Sequence, residues 1–408
     1  MSRRVYSKEE LYSSNRQRVF PGTAGEAAFP LGGIGTGNIS VGARGELRNW
    51  EIFNTPGKGV QLTPSFFALW AKEEGKEAIC KVLEAKLNPP FSRSHGFHPD
   101  EAAGLPRFET SELRGEYPVA RITLKDGKMP VEVTLETFTP MIPLDPDDSG
   151  IPCAILNYKV RNKSARETQV SIAGSFLNAA GFRGHDRFGN LRASGFEGAV
   201  DEYKKGAGFS GLHMYSSKLP ENDLKYGGMS LITNARDVSY KTYWANEAWW
   251  DGLQLMWDDF REDGRLEDST GNAGFSDVKP KTGSLAVHET LKTGEEKEFL
   301  FILSWYFPNR VNGWNQDCCV SSSDGTSGDF SCGTSGDSSG SISGGSSRGA
   351  SCGCDITRNY YANLFKSSWH AAEYTLKNIK KLTDSTFKFH DALFGSALPS
   401  YVIDAAAS

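Results

Sequence analysis

No stretch of this chain approaches the ~20 consecutive apolar residues that a membrane-spanning helix requires. The opening MSRRVYSKEELYSS follows its arginines with polar side chains where a secretory leader would turn apolar. No membrane span is expected, and the default compartment is the cytoplasm. Basic charge is not in surplus either: the formal net charge is −5, and Lys and Arg are scattered instead of striped along one face. That pattern gives nucleic acid no electrostatic footprint, so no nucleic-acid partner is expected. The seven cysteines contain no C-x-x-C knuckle and no spacing typical of a secreted disulfide framework.

What the chain does have is length and aromatic mass. Its 408 residues allow two or three domains, or one large β domain with an appendage. With 38% apolar and 23% charged residues, 9 Trp, 14 Tyr and 24 Phe, it belongs with soluble globular proteins and apart from disordered and coiled-coil chains. The 44 glycines point to many turns.

From about residue 110 to 310 the hydrophobic period is two. Ala120, Ile122 and Leu124 share a face, Asp126-Gly127 supplies a turn, and Val131, Val133 and Leu135 resume the alternation, which reads as a β-hairpin. Ala154, Leu156, Tyr158 and Val160 repeat the pattern, followed by Val170 and Ile172. Further strands are expected at Met229 to Thr233, Ser284 to Leu291 and Glu298 to Tyr306. The last carries FLFILSWY, apolar on both faces, and should be a central strand. Short strands with no alternating helices predict a mainly β fold, a large antiparallel β-sandwich followed by a carboxy-terminal linker helix.

The expected division is a sandwich over 1–316, a Ser/Gly/Cys-rich flexible loop over 317–355, a linker-helix region over 356–395 and the truncated start of a helical domain over 396–408. The loop is read from composition: of the 31 residues from 321 to 351, 13 are Ser and 8 are Gly, and only Phe330 and Ile342 are large apolar residues, too few to offset ordering entropy. Beyond it Phe365, Trp369, Ala372, Leu376, Ile379 and Leu382 fall at helical spacing. Ser367 or Ser368 can cap that helix, and Lys377, Lys380 and Lys381 suit its carboxy end, which predicts one helix of about 16 residues. A second helix opens near Pro399 and is cut short at a domain entrance.

Several constellations have a chemical and a plain reading. Glycines 32, 33, 35 and 37 could cradle phosphate, but no Lys-Ser/Thr follows and the G-x-G-x-x-G order is absent; the preferred reading is a strand region where glycine lets another backbone or a ligand come close. His95 and His98 with Asp100 and Glu101 lack a second ligand cluster and read as a solvated loop, so no metal site is assigned. Cys318, Cys319, Cys332, Cys352 and Cys354 leave zinc, disulfides and free thiols open, free thiols being preferred. In YWANEAWWDGLQLMWDDFREDGRL, Trp244, Trp249, Trp250 and Trp257 lie among Glu247, Asp251, Asp258 and Asp259, a mixture suited to stacking on sugar CH groups and accepting sugar hydroxyls. The plain alternative makes Leu253, Met256, Trp257 and Phe260 the buried face of one short helix.

These pieces together resemble one family. FPLGGIGTGNISVGARGELRNWEIFN (29–54), the Trp-rich block, SWYFPNR (304–310), NYYANLFKSSWHAAEY (359–374) and the terminal ALPSYVIDAA are similar to the amino-terminal domain of glycoside hydrolase family 116. That is the family of bacterial β-glucosidases and of the non-lysosomal glucosylceramidase, also called bile-acid β-glucosidase. The resemblance implies a noncatalytic β-sandwich that braces a carboxy-terminal (α/α)6 catalytic domain, its partner, in retaining hydrolysis of β-glucosides. A nucleophilic Glu and an acid/base Asp would lie in that barrel, past Ser408, so no catalytic residue is assigned within this chain. No cofactor is called for. At the edge of the active-site mouth the candidates are Trp50, Glu51, Trp249 and Trp250; for the first two the plain reading is a packed strand residue and its exposed neighbour. The competing functions are an independent carbohydrate-binding module and a structural interaction domain.

Overall fold

A computed structural model describes residues 18–89, 101–185, 191–192, 195–245, 251–268, 280–312 and 356–407, with residues 7, 9, 320–321 and 330–331. Two sheets packed face to face form its centre. The larger has nine strands in the spatial order β1 (Val19–Pro21), β8 (Thr110–Glu116), β9 (Val119–Lys125), β10 (Val131–Phe138), β11 (Cys153–Asn162), β18 (Glu296–Tyr306), β15 (Gly228–Thr233), β14 (Phe209–Ser216) and β13 (Ala199–Gly206). The smaller has six, in the order β16 (Val238–Lys241), β17 (Thr282–Leu291), β12 (Thr168–Leu177), β5 (Phe66–Glu73), β6 (Ile79–Ala85) and β7 (Arg107–Phe108). Neighbouring strands run antiparallel except β6 and β7. A meander of β2 (Ala28–Leu31), β3 (Asn38–Gly42) and β4 (Leu47–Glu51) lies beside them. Two short pairs complete the strands: β19 (Asn309–Val311) with β22 (Ile356–Arg358), and β20 (Val320–Ser321) with β21 (Phe330–Ser331).

The period of two decides where each side chain goes. On β11, Ala154, Leu156, Tyr158 and Val160 enter the core between the sheets, while Cys153 and Ile155 point to the opposite face. On β5, Phe67, Leu69 and Ala71 enter the same core, and Phe66, Ala68 and Trp70 face outward. The expected hairpin is β9–β10, with Val133 opposite Leu124. Strand β18 lies between β11 and β15, as its double apolar pattern predicts. Phe299, Phe301, Leu303 and Trp305 fill the intersheet core, and Leu300, Ile302 and Tyr306 face a layer of helices.

Helices cover both outer faces. α1 (Pro146–Ser149) is a single turn in the β10–β11 connection. α2 (Gly252–Asp263) lays Met256, Trp257 and Phe260 on the outer side of the six-stranded sheet, against Phe66, Ala68 and Trp70. α3 (Tyr361–Leu364), α4 (Ser368–Lys377) and α5 (Ile379–Phe394) cover the nine-stranded sheet, and α6 (Ser400–Ala407) follows Pro399. The single 16-residue helix expected from Phe365 to Leu382 is therefore two helices. Asn378 (φ −104°, ψ 9°) ends α4, its amide donating 2.9 Å to the Tyr374 carbonyl, and α5 starts at the next residue. Lys377 sits at a carboxy-terminal turn as expected, whereas Lys380 and Lys381 open α5. The cap is Ser367, whose hydroxyl accepts the His370 N–H at 3.2 Å. Within 317–355 the structure describes β20 and β21 alone, so the cysteines of that segment lie outside the described residues, as do His95 and His98.

Candidate functional site

The segment 29–54 builds one end of the sandwich. Its glycine loop, 32–37, joins β2 to β3 where three backbones converge. A Cβ on Gly33 would stand 2.6 Å from the Ile151 carbonyl, and one on Gly37, whose φ is +76°, would stand 2.3 Å from the Glu51 carbonyl. Only glycine fits such a contact. The loop uses its own polar groups: Ile34 N–H donates to Ser149 O at 2.8 Å, Thr36 N–H to Gly33 O at 3.2 Å, and the Trp305 indole N–H to Thr36 O at 2.8 Å. The close approach is thus backbone to backbone, and these groups are not available to a phosphate.

Trp50 and Glu51 end β4. Trp50 is 1% exposed and meets Phe176 edge-on with ring centroids 6.3 Å apart, so its indole has no free face for a sugar. The strand alternation that puts Trp50 inward turns Glu51 outward. Its carboxylate accepts the Gly57 N–H at 3.1 Å and meets Lys58 Nζ at 3.1 Å. Burial works to raise the Glu51 pKa, but the Gly57 and Lys58 contacts outweigh it and hold the group below the ordinary carboxylate value. Glu51 is therefore an acceptor and not a proton donor. Trp249 and Trp250 lie outside the described residues. For the rest of the Trp-rich block the plain reading describes the structure: Trp257 is a buried helix residue, Trp244 donates to Ser284 Oγ at 2.8 Å, and Asp259 pairs with Lys241 at 3.2 Å.

Three of the sequence motifs meet in a hub that is buried at Phe307, Asn309, Asn359 and Tyr361 and reaches the surface at Asn54. Asn54, held at φ +59°, donates to the carbonyls of Phe307 and Asn309, each at 2.9 Å. Asn359 donates to Asn54 Oδ1 at 2.7 Å, and the Tyr361 hydroxyl donates to Phe307 O at 2.7 Å. Burial pushes the Tyr361 phenol up to about 12, so it stays a neutral donor. Side-chain amides that bond several backbone carbonyls at once fix one arrangement of the segments they join. Sequence reading found the motifs but not the hub, because an Asn gives no periodic signal.

Around this hub the surface turns apolar. Ile34 is 60% exposed, Leu144 is fully exposed at φ +67°, and Tyr360 is 59% exposed with its hydroxyl 2.7 Å from Asp147. All three border α1, whose Asp148 is buried and held by Tyr374 at 2.7 Å and Lys381 at 2.6 Å. The result is a rigid rim carrying apolar side chains.

Two histidine chains are structural. Ser171 Oγ and Ser239 Oγ lie 2.8 and 2.9 Å from the two ring nitrogens of His288, and burial lowers that imidazole to about 4. No carboxylate orients the ring, and Ser171 is 4% exposed, so the arrangement lacks both the third member and the access of a nucleophilic site. His213, likewise lowered by burial to about 4, reaches Ser230 at 3.0 Å, and Ser230 reaches Ser368 of α4 at 2.9 Å. Among the described residues no group of three or more His, Cys, Asp or Glu is placed to hold a metal ion, and no helix is long and apolar enough to cross a membrane.

Comparison with known proteins adds the following. Residues 28–382 match the family model described as beta-glucosidase 2, glycosyl-hydrolase family 116 N-terminal. Among solved structures, a polysaccharide lyase is 9% identical over 67% of this chain and 30% of its own, with a TM-score of 0.29. A family 36 α-galactosidase from Geobacillus stearothermophilus, in complex with stachyose, is 12% identical over 69% of this chain and 40% of its own, at 0.30. A second α-galactosidase of that family and organism is 10% identical over 72% and 41%, also at 0.30. This chain spans less than half the length of each, and likeness at that level carries no argument about activity.

Proposed function

Since the chain belongs to the amino-terminal domain of glycoside hydrolase family 116, we propose that it is a noncatalytic sandwich that braces a carboxy-terminal (α/α)6 catalytic domain in the cytoplasmic hydrolysis of β-glucosides or glucosylceramide-like glycolipids. The observation that supports this is the match over residues 28–382. The geometry is compatible with it: the signature segment uses Trp50 in the core, keeps Glu51 ionised, and closes its glycine loop on itself. A retaining site needs two carboxyls about 5 to 5.5 Å apart, one of them a proton donor, and Glu51 is not such a donor. The apolar rim of Ile34, Leu144 and Tyr360 is the surface assigned to the catalytic domain. Glu51, whose backbone carbonyl meets the glycine loop that carries Ile34, is proposed to accept sugar hydroxyls at the mouth, and Trp249 and Trp250 to stack on them.

Two experiments test the reading. The purified 408-residue protein is expected to leave aryl β-glucosides intact; turnover abolished by changing one of its own Asp or Glu residues overturns the proposal. In a longer protein that includes the helical domain, Ile34→Ser with Leu144→Ser should lower activity and melting temperature while leaving the 408-residue chain unchanged. No effect in the longer protein would remove the rim from the interface.

A further inference from the structure

At the opposite end of β3 from the glycine loop, a cleft of about 670 Å3 opens between the β3–β4 turn, residues 58–65 and the segments flanking β6 and β7. Its floor is made of paired charges. Arg44 lies 3.6 Å from Glu46 and 3.3 Å from Glu84. Arg107 donates to Glu84 at 3.2 Å and to the carbonyls of Ala102, Ala103 and Leu105 at 2.9 to 3.2 Å. Arg48 donates to the Gly25 carbonyl and lies 3.8 Å from Glu46, and Lys58 is turned toward Glu51. The side chains of Arg44, Glu46, Glu84 and Arg107 are each at most 12% exposed.

This pairing decides the ligand class. The lining sets four cations, Arg44, Arg48, Lys58 and Arg107, against four carboxylates, Glu26, Glu46, Glu84 and Glu101, so it holds no surplus positive charge for a phosphate or sulfate group. Glu46 and Glu84 each carry an arginine, which works against a divalent cation. The lining also holds neutral hydrogen-bonding groups, Gln61, Thr63, Ser65 and Asn88, and the half-buried apolar side chains Val60 and Leu87. Burial raises the Glu46 carboxyl above its ordinary value, with Arg44 opposing, which marks the floor as poorly hydrated.

We propose that this cleft binds a neutral polyhydroxylated ligand, a sugar or short oligosaccharide, at a site separate from catalysis. Every hydroxyl of such a molecule both gives and accepts a hydrogen bond, which matches fixed guanidinium donors alternating with carboxylate acceptors. Its CH faces match Val60 and Leu87, and the volume falls in the range of pockets that enclose small ligands. The site does not depend on the catalytic reading above.

The test is calorimetric titration of the whole 408-residue protein with D-glucose, cellotriose and maltotriose, against gluconate and inorganic phosphate. At least one neutral sugar should saturate with a dissociation constant of about 1 mM, and the exposed-rim variant Gln61→Leu with Thr63→Val should weaken it roughly tenfold at an unchanged melting temperature. Three outcomes overturn the proposal: no neutral sugar saturates below about 100 mM, phosphate or gluconate binds more tightly than the sugars, or the sugar binds the variant as well as the parent.

Discussion

Gly35 and Gly37 share a loop and a backbone conformation, with φ at +73° and +76°, yet they face different surroundings. A Cβ on Gly35 would meet nothing within 4 Å; one on Gly37 would enter the Glu51 carbonyl. Gly35→Ala should therefore cost only the left-handed strain of an L residue, about 1 kcal/mol. Gly37→Ala adds a backbone collision and should cost roughly 3 kcal/mol or more. Urea midpoints of the two variants measure the difference, and equal losses would refute the close contact. At the same scale, Glu116 collects charge from several elements: His390 Nε2 of α5 at 3.4 Å, Arg114 at 2.7 Å, Arg18 at 3.1 Å and Arg121 at 3.9 Å. His390, above all, holds the Glu116 carboxyl down to about 2, and Glu116 in turn raises His390, which also touches Asp391. A lowered acid stabilises the fold above its ordinary pKa and loses that contribution as pH falls through the folded value; a raised histidine stabilises below its ordinary pKa and loses it as pH rises through the folded value. The clasp should be strongest between about pH 4.5 and 6.5. Melting temperature against pH should show that maximum, and Glu116→Gln should flatten it on both sides.

At the scale of the element, α4 shows how a helix is read correctly in kind and incorrectly in register. The spacing of Phe365, Trp369, Ala372 and Leu376 marked the apolar stripe, but the most buried face is Ser368, Ala371, Ala372 and Thr375, each at 0 or 1% exposure. Small side chains let the helix lie close on β18 and β15, and the sheet meets them with Ser304 and Ser230, the former donating to Ser368 O at 2.8 Å. Hydrophobic patterning is blind to such a face because its residues are small or polar. The break at Asn378 was hidden for a similar reason, since the apolar spacing runs on from Leu376 through Ile379 to Leu382 while the capping amide carries no hydrophobic signal. Ala371→Leu should force the helix off the sheet and cost about 1–3 kcal/mol. Trp369→Ala should cost less, about 1–2 kcal/mol, because the ring is half-buried, resting 5.3 Å from Phe209 with Lys204 Nζ 5.2 Å over it. Chemical denaturation of both variants checks the order, and a larger loss for Trp369→Ala would place the stripe where the spacing first put it.

For the whole molecule, the strands were legible because alternation is dictated by a core on one side, and FLFILSWY announced its central place because it has apolar layers on both. Packing order within the sheets, the hub of Asn54, Asn309 and Asn359, and the charged cleft at Arg44 were not, since each joins residues far apart in sequence by polar contacts without a period. The position of β18 carries one more implication, for synthesis. Strands β8 to β11 form one run of neighbours and β13 to β15 another, and β18 alone pairs with both β11 and β15. A nascent chain on the ribosome therefore holds two half-sheets, each with an open inner edge, until residues 296–306 emerge. Open edges of this kind are where chains associate wrongly. Chains stopped at residue 295 should aggregate on release more than those stopped at 312, which have closed the sheet and expose only the outer face that α3 to α5 cover, so the yield of this protein should depend on how quickly the ribosome delivers a single strand.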